Sequence, residues 1–414
     1  MTGGPRRAAW LVGGIALLAV VGALGGCRER AAAVLQGSKV DETVAQLIPV
    51  IERAAGMRFR RRPVVAIRSR DQLHAYLRHK LDEDLPPERV AGMTAAYRLF
   101  GLIPDTLDLR QLLLDLLGEQ VVGYFDPDSG ALYVVAGVDP EYLRTTLAHE
   151  LVHALQAQYV DVDSLMNQPE DDRAAAARAL FEGHATWVQT VAAMPEKPPA
   201  ELPSFYSDLF RRNIVGQQGQ MPVFARAPLI VREAVVFFPY LAGADFARWY
   251  GANHRNPFPS AAEMPASSEQ ILHPDRYARG DTPLRLAFAD GRVRGTYESE
   301  LGEIEIRVLF TQITGRETDA SGIAQGWGGD RYRVYVEDDA LVWYTAWDDS
   351  AEAHAFHVQL RRGWPTGGRR GGAERRRVTT EELEVDGKPV VRLVDAPVAW
   401  TGWRQLPQVG LAPQ

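Results

Sequence analysis

The pentapeptide His149-Glu150-Leu151-Val152-His153 constrains this chain more than any other feature. It lies in a stretch whose apolar residues recur with a helical period, and residues four apart on a helix are only about 40° apart around its axis. Both imidazoles can therefore reach one small ion. Glu150 lies beside them, where it can contact a water bound to that ion. This pattern is typical of a zinc-binding helix.

The residues around the pentapeptide predict a hairpin followed by an amphipathic helix. Residues 121–125 and 131–135 are rich in β-branched and aromatic side chains, and residues 126–130 between them have turn chemistry. The helix is expected to begin near Pro140 or Glu141. Its core-facing side is predicted to consist of leucines spaced four apart, namely Leu143, Leu147, Leu151 and Leu155.

The third metal ligand is expected on a second long helix, predicted over residues 170–193. A catalytic zinc site usually has three protein ligands and an open position for water. This helix carries two candidates, Glu182 and His184. Side chains two residues apart on a helix point about 200° apart, so only one of them can reach the metal. Gly183 would let the second helix approach closely, which favours Glu182, but these residues alone leave the choice open.

The rest of the chain predicts a mixture of helices and strands in two regions. A catalytic domain is expected over residues 40–281 and a C-terminal α+β region over 282–414. Further helices are predicted over residues 40–55, 71–80, 91–99, 107–119, 205–215, 229–249 and 351–360. Strands are predicted over 63–67, 332–336, 340–346 and 381–394, and a Gly/Arg-rich surface loop over 361–377.

The N-terminus predicts an export signal. Arg6 and Arg7 precede an apolar run over residues 10–24, and small residues then lead to Cys27. This arrangement resembles a bacterial lipoprotein signal over residues 1–27, with a lipid on Cys27 and a tether over 28–39. The alternative is a plain signal anchor in which Cys27 is incidental. Cys27 is the single cysteine of the chain, which excludes an internal disulfide and a multi-cysteine zinc site.

The pentapeptide followed by Glu182-Gly183-His184-Ala185 resembles the gluzincin metallopeptidases, the group that contains thermolysin and the zinc aminopeptidases. The resemblance implies that Zn²⁺ is held by His149, His153 and Glu182. It also implies a zincin-like α+β fold, in which a small mixed sheet and an active-site helix precede a mainly helical subdomain. An edge strand of that sheet would border the cleft and pair with extended substrate, and residues 131–135 are the candidate.

The same resemblance implies roles for three further residues. Glu150 would be the general base, and Tyr240, in the segment Pro239-Tyr240-Leu241-Ala242-Gly243, would stabilise the oxyanion. His273, in a polar segment over residues 267–277, is a second candidate for that role. The aminopeptidase signature G-x-M-E-N is absent from the sequence, which favours an endopeptidase.

The sequence therefore predicts an exported, membrane-anchored zinc peptidase that acts on peptides or proteins. The alternative is a non-catalytic binding or assembly lipoprotein on the same scaffold. Against that alternative, all four chemical positions (His149, Glu150, His153, Glu182) are filled. The net charge of −7 argues against general nucleic-acid binding.

Overall fold

The protein is described by a computed structural model over residues 37–412, except for residues 127, 137–139, 167, 169, 203, 206–220, 292 and 365–374. The predicted lipoprotein signal with Cys27, the tether up to residue 36 and residues 206–215 of a predicted helix lie outside the described residues. The fold is α+β, as the sequence predicts. No helix within the described ranges is long and apolar enough to cross a membrane.

Helices dominate the chain up to residue 281. The first helix begins at Gly37, three residues inside the predicted tether, because its apolar face already starts at Val40, which is buried. The α-helices are α1 (Gly37–Ala55), α2 (Arg70–Asp84), α3 (Pro87–Phe100), α4 (Leu109–Gln120), α5 (Pro140–Gln156), α6 (Val162–Met166), α7 (Asp171–Ala193), α8 (Pro222–Arg226), α9 (Gly243–Asn253), α10 (Ser268–Leu272) and α11 (Pro274–Ala278).

A three-stranded mixed sheet lies before the pentapeptide helix. It comprises β1 (Val64–Arg68), β2 (Gly123–Asp126) and β3 (Ala131–Val135) in the order β1-β3-β2. The hairpin of β2 and β3 is confirmed, with the two strands antiparallel. The prediction that Ala131–Val135 is an edge strand is wrong, because β1 pairs with it in parallel on its other side. The edge strands are β1 and β2.

The pentapeptide helix α5 packs its leucine stripe into the core. Leu143, Leu147, Leu151 and Leu155 are all at least 98% buried, as their spacing predicts. Helix α7 lies beside α5 and carries Glu182. The chain from Val231 to Ala242 is a π-helix, not the ordinary helix that the sequence predicts, and it continues directly into α9.

A second sheet occupies the C-terminal region. The strands are β4 (Leu286–Phe288), β5 (Thr296–Ser299), β6 (Trp327–Tyr335), β7 (Ala340–Trp347), β8 (Arg376–Val385), β9 (Lys388–Pro397) and β10 (Val409–Leu411). Five of them form an antiparallel sheet in the order β5-β6-β7-β9-β8, and a separate two-stranded sheet joins β4 to β10. The helices are α12 (Gly302–Thr314), α13 (Glu317–Ala324) and α14 (Ser350–Gly363).

The predicted Gly/Arg-rich loop over residues 361–377 is shorter than expected. Residues 361–363 complete α14 and residues 376–377 begin β8, while residues 365–374 are not described. The boundary near residue 282 stays a prediction. The main apolar core continues across it, and the ring of Phe100 in α3 packs edge-on against Trp343 in β7 at a centroid distance of 5.1 Å.

The first turn of α7 is fixed by the C-terminal region. The backbone N–H of Asp172 donates to the Glu300 carboxylate over 3.2 Å, and Ser299 donates to Asp171. Arg89 from α3 also pairs with Asp171. These contacts hold the N-terminal end of the helix that carries Glu182.

Candidate metal centre

The side chains of His149, His153 and Glu182 converge between α5 and α7. The two histidine Nε2 atoms are 3.1 Å apart. Glu182 Oε2 lies 3.1 Å from His149 Nε2 and 3.4 Å from His153 Nε2. All three side chains are buried. Within the described part of the chain, these residues form a group that could hold a metal ion.

A glutamine from α7 orients His149. Gln189 Oε1 lies 3.2 Å from His149 Nδ1, and its amide nitrogen lies 3.4 Å from the carbonyl oxygen of Thr145. A carbonyl can only accept, so the amide nitrogen must face Thr145 and the amide oxygen must face the histidine. His149 therefore donates from Nδ1, and the lone pair of Nε2 faces the cluster.

A glutamine from α5 orients His153 in the same way. Gln156 Oε1 lies 2.8 Å from His153 Nδ1. The amide nitrogen of Gln156 donates to the Phe181 carbonyl over 3.0 Å, which fixes the orientation of the amide. In its neutral form, His153 would therefore also present the lone pair of Nε2 to the cluster.

Three electron-rich atoms are thus held within 3.1 to 3.4 Å of one another in a buried site. Such an arrangement is stable only if a positive charge, either a metal ion or a proton, lies among them. The pKa values of these groups in the metal-free protein agree with this requirement. Burial opposes charge on both residues, yet Glu182 raises the pKa of His153 to about 9, and the histidines lower the pKa of Glu182 to about 2.

Glu150 lies beside the cluster and is buried. Its Oε2 atom accepts from the backbone N–H of Phe125 in β2 over 2.8 Å. This bond joins the carboxylate to β2, an edge strand of the sheet. Burial raises the pKa of Glu150, and the two histidines only partly oppose that shift.

The structure also brings Tyr240 to the cluster. Its ring stacks at 28° on His149 with a centroid distance of 6.0 Å, and its buried hydroxyl interacts with the Glu182 carboxylate. Burial and the carboxylates of Glu182 and Glu150 raise the pKa of Tyr240 well above its ordinary value, so the hydroxyl keeps its proton. Tyr240 lies in the π-helix, and interruptions of this kind are frequent at functional sites.

Two glycines allow Tyr240 and Glu182 to meet. A Cβ atom on Gly183 would lie 1.9 Å from the carbonyl carbon of Gly243, and one on Gly243 would lie 1.9 Å from the carbonyl oxygen of Ala179. The close approach predicted for Gly183 is therefore real, but its partner is the segment that begins α9, and not α5. Backbone contact at this point requires glycine on both sides.

The two remaining histidine candidates lie outside the ligand group. His184 is buried, and its Nδ1 atom lies 3.1 Å from the amide nitrogen of Gln156. The amide oxygen of the same Gln156 contacts His153. His273 is placed with the buried Glu303 carboxylate at 3.0 Å and with Arg307 at 2.9 Å. Both contacts are made by His273 Nε2, and neither partner belongs to the group of candidate metal ligands.

The orienting glutamines are absent from the sequence-based prediction, although their spacing carries a signal. Gln156 follows His153 by three residues, and Gln189 follows Glu182 by seven. Both spacings return to the same face of a helix. Amide side chains at such positions can accept from the outer nitrogen of a ligating histidine.

Comparison with known proteins leaves the function to be inferred from this site. The family described as a domain of unknown function, DUF8575, matches residues 291–403, which contain none of the cluster residues. A crystal structure from Chloroflexus aurantiacus, provisionally described as a hydrolase with a novel fold, is 17% identical. The match covers 66% of this chain and 99% of that chain with a TM-score of 0.33, which is too low to support an argument. No curated protein matches.

Proposed function

We propose that this protein is a zinc-dependent peptidase of the gluzincin type, with His149, His153 and Glu182 as the metal ligands. The observation that carries the proposal is the triangle of donor atoms, with sides of 3.1, 3.1 and 3.4 Å. Zinc bonds of about 2.0–2.1 Å in a tetrahedron require donor separations of about 3.3–3.4 Å. Two imidazoles and one carboxylate are also a donor set that zinc prefers.

The number of ligands supports a catalytic ion over a structural one. Structural zinc sites are normally closed by four protein ligands, whereas catalytic sites have three and an open position. The candidate group has three members among the described residues. Glu150 is not one of them, although it is buried beside them and bonded to β2. A purely structural site has no need of an extra buried carboxylate, whose burial is costly.

When bound, zinc supplies a Lewis acid that lowers the pKa of its water to near neutrality. Glu150 would accept a proton from the attacking water and later deliver it to the leaving nitrogen. Burial raises the pKa of Glu150, which makes its carboxylate a stronger proton acceptor. Tyr240, which keeps its hydroxyl proton, would donate a hydrogen bond to the developing oxyanion.

The substrate would be an extended peptide presented along β2. This strand replaces Ala131–Val135 as the candidate cleft edge, because it is an edge of the sheet and its Phe125 N–H contacts Glu150. The absent aminopeptidase signature favours internal cleavage. Export and a lipid on Cys27 complete the proposal and would place the enzyme at a membrane surface. Labelling with a radioactive fatty acid in wild type and Cys27→Ala tests the anchor.

The proposal is tested by cleavage of casein or a quenched fluorogenic peptide by the full-length protein and by Glu150→Gln. We expect cleavage by wild type, loss on chelation, recovery with added zinc, and a loss of at least about 10²-fold in the variant. Glu150→Gln keeps the size of the side chain and all three metal ligands. Equal cleavage by both proteins would refute the assignment of Glu150 as the base.

A further inference from the structure

Gln156 is fully buried between the two helices that carry the metal ligands. Its side chain makes three polar contacts. The amide oxygen accepts from His153 over 2.8 Å, and the amide nitrogen lies 3.0 Å from the Phe181 carbonyl and 3.1 Å from His184 Nδ1. Phe181 immediately precedes Glu182. One side chain therefore contacts a ligand on α5 and the backbone next to a ligand on α7.

The three contacts require an amide. The contact with His153 needs an acceptor on Gln156, and the contact with the Phe181 carbonyl needs a donor. His184 Nδ1 can accept from the remaining amide hydrogen. A carboxylate of the same shape would satisfy the first contact only. It would also place negative charge 3.0 Å from a carbonyl oxygen, in a site without access to water.

We propose that Gln156 is a positioning residue that sets the separation of α5 and α7, and hence of His153 and Glu182, in addition to orienting His153. This inference rests on the metal centre proposed above. Gln189 provides the natural comparison, because it extends from α7 to α5, whereas Gln156 extends from α5 to α7. Its link to Thr145 is long, at 3.4 Å, and its side chain is only partly buried. Gln189 therefore orients His149 and joins the two helices less firmly than Gln156 does.

The two roles predict opposite effects of changing glutamine to glutamate. If a glutamine only orients a histidine, replacing its amide by a carboxylate should maintain or strengthen zinc binding, since carboxylate partners make the ligating imidazole more basic. A residue that also joins the helices should fail as a carboxylate, because the bond to Phe181 is lost. Gln156→Glu is therefore expected to weaken zinc binding, whereas Gln189→Glu should maintain or strengthen it.

The experiment measures zinc dissociation constants of the full-length protein by competition with a chromophoric chelator. We expect Gln156→Glu to weaken binding about 10–100-fold, in the range reported for outer-shell partners, and Gln189→Glu to change it less than about threefold or to tighten it. Gln156→Met keeps the volume, removes all three contacts and should also weaken binding. The absorption spectrum of the cobalt-substituted proteins reports the ligand geometry and should change only in the Gln156 variants.

Several results would overturn the inference. Equal or tighter zinc binding in both glutamate variants would mean that Gln156 only orients His153. A lower melting temperature of metal-free Gln156→Glu with unchanged zinc affinity would assign Gln156 to the stability of the fold alone. If Gln156→Glu does not fold, a loss of affinity in Gln156→Met no larger than that in Gln189→Met contradicts the proposal, and a larger loss supports it. Absence of zinc binding by wild type would instead refute the proposed function.

Discussion

Replacing Gly183 by alanine should disturb both the fold and the metal centre. The new Cβ would lie 1.9 Å from the carbonyl carbon of Gly243 and 2.4 Å from the backbone nitrogen of Ala244. Non-bonded carbon atoms need about 3.5 Å, so α7 and the start of α9 must separate by roughly 1.5 Å. Backbone is on both sides of the contact, so no side chain can rotate away.

The cost can be estimated from opposing effects. Overpacking of this kind costs about 1–3 kcal/mol, while alanine gains up to about 1 kcal/mol over glycine within a helix. We therefore expect a net destabilisation of about 1–2 kcal/mol. Glu182 directly precedes Gly183, and a metal site tolerates displacements of only about 0.2 Å. Zinc affinity should fall as well.

The assay is thermal unfolding of the metal-free protein together with zinc competition, for Gly183→Ala and for Gly322→Ala. Gly322 is exposed in α13, and a Cβ there would meet no atom within 4 Å. The control should be slightly stabilised by its higher helix propensity. If Gly183→Ala were as stable as the control and bound zinc normally, the close crossing of the two segments would be refuted.

Three other perturbations test separate parts of the account. Tyr240→Phe should lower kcat by about 10²–10³-fold with little change in KM; loss of zinc in atomic analysis would instead show that Tyr240 only holds Glu182. Burial raises the pKa of Asp172 to about 7, well above that of an unfolded aspartate. The folded protein therefore binds the extra proton between about pH 4 and 7, and stability falls as pH rises through that range. Asp172→Asn should flatten this fall in thermal unfolding, and parallel curves for the two proteins would contradict it. Zinc binding at pH 7.5 should release a proton from His153, because the pKa of His153 in the metal-free protein is about 9. The binding enthalpy measured by titration calorimetry should then depend on the ionisation enthalpy of the buffer. A binding enthalpy that is the same in all buffers would contradict this prediction.

Local patterns in the sequence predict the elements that carry the site. The leucine spacing and the turn at residues 126–130 identify α5 and the hairpin before it, because each depends on neighbouring residues alone. Helical spacing predicts His149 and His153 and narrows the third ligand to Glu182 or His184, and the resemblance to the gluzincins then implies Glu182. Their convergence in the structure agrees with that prediction.

The parts that the sequence did not predict depend on contacts between distant residues. Pairing of β1 with β3 joins Val64 to Ala131 and turns a predicted edge strand into a central one. The π-helix is likewise unpredicted from its own apolar residues, and its continuation meets α7 at the two glycines. His273 contacts the buried carboxylate of Glu303 in α12, and local sequence patterns do not predict a contact between residues thirty positions apart.

The central claim is that His149, His153 and Glu182 hold one zinc ion. The most direct measurement is zinc content by atomic analysis of the full-length protein after dialysis, for wild type, Glu150→Gln and Glu182→Ala. The account predicts one zinc per chain in the first two proteins and a loss of zinc in Glu182→Ala. No zinc in wild type, or full zinc content in Glu182→Ala, would contradict it.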